Sequence, residues 1–149
     1  MDTMRRIALA AVLVAGIAHG AEPIKASASD VQTQTNAVGT AMKMVAPVQE
    51  TVAAYRRSHD GFPSSNTEAG IQPAPAFASD TVKRVDIGPD GVIDVTLTAA
   101  SGVDDGKIRF RPEFLAQSGG GDVHWTCISD SIANIGDLTL GACEHTTLP

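Results

Sequence analysis

From Val38 the chain sets apolar residues three and four positions apart: Val38, Met42, Val45, Val48, Val52 and Tyr55. That spacing predicts a helix with one buried stripe. Pro47 falls inside the stripe. A proline supplies no N–H to the helix ladder, so a bend or a restart is expected there. Arg56 and Arg57 follow where the helix dipole favours cations. Gly61, after His59 and Asp60, is the expected left-handed cap. Ahead of the stripe, residues 21–37 are polar and weakly patterned, either a linker or the first turns of the same helix.

After about residue 80 the period changes to two. Val85 and Ile87 alternate with charged residues, and Ile93, Val95 and Leu97 share one face of "VIDVTLT". "KIRFR" turns Ile108 and Phe110 inward and Lys107, Arg109 and Arg111 outward, and "VHWTC" puts Val123, Trp125 and Cys127 on one side. Between these runs lie the turn signals "GPDG", "GVDDG" and "SGGGD", with Gly91 suited to positive φ. Four short strands joined by turns predict an antiparallel sheet. One helix followed by one sheet is an α+β arrangement, with the helix stripe packed on the apolar face of the sheet.

The first twenty residues change the picture of where this domain works. Arg5 and Arg6 precede an apolar run from Ile7 to Ala18, and Ala18-His19-Gly20 places small residues at the positions a signal peptidase reads. Residues 1–20 are therefore expected to be a secretory signal peptide, with a mature start at Ala21 or Glu22; the alternative is an uncleaved anchor. The apolar run is short of the roughly 20 residues a membrane span needs, so no stable membrane insertion is expected after cleavage. Removing 1–20 takes away Arg5, Arg6 and Asp2, which moves the net charge from −6 to −7. That balance argues against nucleic acid as a partner. Export permits disulfides, and the two cysteines, Cys127 and Cys143, allow a single internal pairing, the alternative being two free thiols.

Candidate chemistry is sparse. His59, His124 and His145 sit in separate elements without metal-ligand spacing, and no Gly-x-Ser-x-Gly or phosphate loop occurs, so neither an enzyme nor a cofactor is expected. The Lys107, Arg109, Arg111 stripe is a candidate docking site for an acidic partner, or a solvated strand face pairing across to Asp94 or Asp86. Trp125, sharing a face with Val123 and Cys127, is expected in the core rather than at a ligand. Ile135, Leu138 and Leu140 make "IGDLTLGAC" apolar for a loop. They are candidates for partner contact, or they fold back on the sheet edge.

The stretch "VQETVAAYRRSHDGFPSSNTEAGI" resembles the junction in type IV pilins where the long helix ends and the connecting loop begins. Tyr55, Gly61, Phe62, Pro63, Asn66, Ala69, Gly70 and Ile71 carry the likeness. "VKRVDIGPDGVIDVTL" is similar to that family's first hairpin, "IRFRP" to its third strand, and "GDVHWTC" to the start of its disulfide-bonded loop. The resemblance implies a pilin-like domain over 38–149. Its expected parts are a long N-terminal helix, a four-stranded antiparallel sheet and a C-terminal loop closed by Cys127 and Cys143. In true prepilins a cleaved Gly is followed by an apolar half-helix. Here Gly20 is followed by the polar AEPIKASASD.

The likeness therefore implies a pilin head on an ordinary secretory signal, periplasmic or extracellular and soluble. Its expected role is accessory, adhesive or regulatory within a pilus system, with pilin subunits or assembly components as protein partners. The alternative is a periplasmic binding module, an inhibitor or immunity protein, on the same scaffold.

Overall fold

The computed structural model describes residues 27–117 and 120–148; the expected signal peptide and its cleavage site lie outside them. Helix α1 runs from Ala28 to Ser58. The polar stretch before Val38 is thus helical from residue 28 onward. Ser27 starts the helix with a capping box: its Oγ accepts from the Asp30 backbone N–H at 3.2 Å, and the Asp30 carboxylate accepts from the Ser27 N–H at 3.1 Å. These bonds satisfy helix-end donors that have no partner inside the helix. The Ser27 hydroxyl, donating to Asp30 Oδ2 at 2.7 Å, and after it the Ser27 N–H hold the Asp30 carboxyl below its usual range.

The buried stripe of α1 is Ala37, Val38, Ala41, Val45, Val48, Val52 and Ala53, with Met42 and Tyr55 half-buried. The alanines widen the stripe and let the helix approach the sheet. The helix is unbroken across Pro47, so the expected restart does not occur. Val45 and Val48 lie buried on either side of the proline, and packing holds the helix together there. Gly61 is not the cap. The helix closes at His59 in extended geometry, and Gly61 has no positive φ. Side chains do the capping instead: Ser58 Oγ donates to the carbonyls of Ala54 and Tyr55, at 3.2 and 3.0 Å. No left-handed turn is then needed to satisfy them.

The sheet has five strands, not four: β1 (Val82–Ile87), β2 (Ile93–Leu97), β3 (Lys107–Gln117), β4 (Gly120–Ser129) and β5 (Cys143–His145), side by side in that order. The first three pairings are antiparallel and β4–β5 is parallel. Cys127 therefore does not end the last strand. A parallel return needs a connection of about a dozen residues, and 130–142 supply it, with the single-turn helix α2 (Ile135–Leu138) inside. Gly91 takes φ +72° in the β1–β2 turn, as its sequence context requires. A Cβ there would lie 2.8 Å from the Phe62 Cβ, so the turn and the loop after α1 are packed together.

The core lies between α1 and one face of the sheet. Val85, Ile93, Val95, Leu97, Ile108 and Phe110 meet the α1 valines, all at most 2% exposed. Trp125 is half-buried and packs against this cluster. β2 pairs with β3 only as far as Phe110, while β3 and β4 stay paired to Gln117 and Gly120. The outer part of that hairpin thus projects past β2, and Pro112 sits where β3 has one neighbour only, a position that tolerates a missing strand donor.

Candidate functional site

The loop after α1 is organised by one side chain. Asn66 is buried; its Nδ2 donates to the carbonyls of Gln72 and Val85 at 3.1 and 3.0 Å, and its Oδ1 accepts from the Ile87 N–H at 2.6 Å. β1 is an edge strand, and Asn66 occupies the groups it would otherwise leave open. Around it Pro63 is buried, and Phe62, Ala69 and Ile71 pack against the core. Gly70 takes φ +73°, a conformation glycine adopts without strain. Tyr55 ties the helix end to this loop by donating to Glu68 Oε1 at 2.8 Å, and Ser64 adds its N–H and hydroxyl to Glu68 Oε2. These bonds hold the Glu68 carboxyl down at about 2, the Ser64 hydroxyl being the largest cause.

Cys127 and Cys143 are joined as a disulfide between residues in register on β4 and β5. The segment between them is held by side-chain hydrogen bonds as well as by the disulfide. Ser129, fully buried, donates its hydroxyl to the Lys107 carbonyl at 2.6 Å and accepts from the Ser131 and Ile132 N–H groups. Thr139 Oγ1 donates to the Ile135 carbonyl and accepts from the Cys143 N–H. Ile132 and Ile135 are buried in the core. Ile135 therefore leaves the candidate contact surface, because it anchors the loop inward. Leu138 is half-buried against the core, and Leu140 is 98% exposed with φ +53°.

A capped helix, an asparagine-locked loop, an antiparallel sheet and a disulfide-bonded end follow one another along the chain. A family model described as pilin (bacterial filament) matches residues 33–143, which takes in all four after the first turn of α1. The chain belongs to the pilin family. A search of curated proteins returns no match.

Pilin-family membership connects the chain to bacterial filaments and their pilin partners. On the outer sheet face Arg109 is committed to Asp94, its register partner, through Nε and Nη2 at 2.7 and 2.8 Å. That carboxylate holds the guanidinium above its ordinary range through the hydrogen bond first. Lys107 and Arg111, on either side, are exposed and make no ion pair among the described residues. The stripe is thus two open cations flanking a matched pair.

Phe114, not singled out in the sequence, shapes a further surface together with Gly121 of "GDVHWTC". Phe114, on the projecting β3–β4 hairpin, lies under Arg56 at the end of α1, and Gly121 underlies Phe114. A cleft of about 680 Å³ opens there between helix end and hairpin. A smaller groove of about 410 Å³ runs beside it, between α1 near Pro47 and Trp125 of β4. Phe114 carried a signal, since "PEFLAQ" continues the alternation of "KIRFR". The proline and the following glycines concealed how far the strand runs. Among the described residues no group of three His, Cys, Asp or Glu could hold a metal, and no helix is long and apolar enough to cross a membrane.

Proposed function

We propose that this is an exported, non-enzymatic pilin-family protein that serves a type IV pilus system as an accessory, adhesive or regulatory component. It acts as a soluble head that meets protein partners through surface contacts, either pilin subunits or assembly components.

The observation that supports this reading is the start of α1. In a filament-forming pilin the helix carries an apolar half that anchors the subunit. Here Ser27 closes the helix with a capping box, and residues 28–36 are polar apart from Ala28 and Val31. A helix capped in this way is finished at its N-terminal end.

The test is capture of the tagged, exported chain from osmotic-shock extract of cells that carry a pilus system, with mass spectrometry of what comes down. Pilin subunits or assembly proteins are expected, together with release of the chain without detergent and a mature start at Ala21 or Glu22. Recovery of the chain only with membranes would overturn the soluble reading. Specific capture of a single periplasmic protein unrelated to pili would favour an inhibitor or immunity module.

A further inference from the structure

The cleft between the end of α1 and the β3–β4 hairpin has the chemistry of a recognition site, and nothing in the pilin-family reading uses it. Arg56 is held in place on three sides. Its Cζ lies 4.0 Å from the Phe114 ring centroid and 5.8 Å from that of Phe62, and its Nη1 donates to the His59 carbonyl at 2.9 Å. The other N–H groups of that guanidinium make no hydrogen bond among the described residues. Arg57, beside it, is exposed and makes no ion pair among them. The His59 ring lies flat on Tyr55, centroids 3.8 Å apart, with Nδ1 within 3.0 Å of the Tyr55 carbonyl and the Ser58 hydroxyl. Its Nε2 is the nitrogen left open.

We propose that this cleft binds a carboxylate flanked by an apolar side chain, presented by an acidic segment of a protein partner. A guanidinium fixed before binding matches a carboxylate with two parallel bonds at little further cost in side-chain freedom. The half-buried Phe114 ring, held between Arg56 and Gly121, lines the cleft as an apolar element next to the cations. The charge balance selects the anion. Two arginines are offset by Asp60 in the same cleft and by the negative end of α1, equivalent to about half a charge. The remainder suits one negative charge and opposes a doubly charged phosphate. Glu50 and Asp122 lie in the adjoining groove that Arg57 also lines, so the guanidinium that meets the carboxylate is that of Arg56.

The inference rests on the reading of this chain as a protein-binding component, but it is tested without pili. The exported chain, disulfide intact, is titrated at low salt with acetyl-Phe-Glu-Phe-amide and with its neutral twin acetyl-Phe-Gln-Phe-amide, followed by NMR. The acidic peptide is expected to shift the Gly121 amide and Arg57 side-chain signals and to bind about tenfold more tightly than the twin. Arg56→Gln should remove most of that preference, and Arg57→Gln, which leaves the fixed guanidinium in place, only part of it. Phe114→Leu, which frees Arg56, should weaken binding with the fold retained. Lys43→Gln, an equal loss of charge elsewhere on α1, should change affinity less than about twofold. Equal affinity for the two peptides, an equal effect of Lys43→Gln, shifts located elsewhere, or tighter binding of inorganic phosphate would each overturn the proposal. Failure to capture pilus components would count against the pilus reading alone.

Discussion

Asn66 completes the open edge of β1 with two hydrogen bonds and ties it to the loop with a third, to the Gln72 carbonyl, and few residues could replace it. Asn66→Ala leaves the Val85 carbonyl and the Ile87 N–H without partners in a site closed to water. The expected loss is about 3 kcal/mol, measured by denaturant unfolding. Asn66→Asp should be no better, because a carboxylate cannot donate to the carbonyls of Gln72 and Val85. Glu68, a few residues on, sets a pH dependence. Its folded-state carboxyl lies at about 2 against an ordinary 4.5. A depressed carboxyl adds stability above its unfolded value and loses it as the pH falls through the folded one. The stability gap between the native chain and Glu68→Gln should be constant above about pH 5 and close toward pH 2. Because the carboxylate is exposed, added salt should narrow the gap as well. A gap independent of pH would show that the Tyr55 and Ser64 bonds do not form in solution.

At the scale of elements, the disulfide and the turn before β2 carry the sharpest expectations. The bond closes a loop of sequence separation 16 across a three-residue parallel strand. On a chain-entropy estimate it contributes about 3 kcal/mol. Cys127→Ser should lower the melting temperature accordingly and speed amide exchange in β5 and after Leu138. Ile132 and Ile135 should keep the first part of the loop in place, since both are in the core. Thiol titration of the unreduced, denatured chain should find no reactive thiol, and two after reduction. In the β1–β2 turn, Gly91→Ala places a methyl against Phe62 and forces an L-residue to φ +72°. The cost should be about 1–3 kcal/mol, read from unfolding midpoints. Phe62 lies between that turn and Arg56, so the same change should also disturb the cleft at the end of α1.

For the whole molecule the expectation concerns assembly. The first turns of α1 are polar and capped, and the apolar stripe that begins at Ala37 is already covered by the sheet. The chain without residues 1–20 should therefore sediment as a single small species without detergent. It should show no fibres by electron microscopy when concentrated. Fibres formed by the protein alone would reject the accessory role. Contacts with a partner are left to the surface: the end-of-helix cleft, the Lys107 and Arg111 positions, and Leu140 at the tip of the bonded loop. Leu140→Ser should leave stability nearly unchanged, because the side chain is 98% exposed. If that loop is the contact, the substitution should still reduce partner capture.

Local pattern was enough for the elements whose neighbours lie close in sequence. The valine stripe predicted α1 because helical periodicity needs no knowledge of what covers it, and Ile93, Val95, Leu97, Ile108 and Phe110 showed their buried side by alternation alone. The junction residues around Asn66 were legible as a resemblance, but their reason was not: the partner groups on β1 lie about twenty residues away. Tertiary contact decided the rest. β5 has three residues and no alternation, and it becomes a strand only because the bonded loop returns it beside β4. Ile132 and Ile135, set among polar neighbours, are core because that return buries them. Gly61 is spared as a cap because side chains already satisfy the helix end, and Pro47 does not divide α1 because packing outweighs one missing bond. Phe114 meets Arg56 only once the hairpin folds back over the helix. Periodicity records which way a side chain faces within its own element, and only the folded chain determines which distant group it meets.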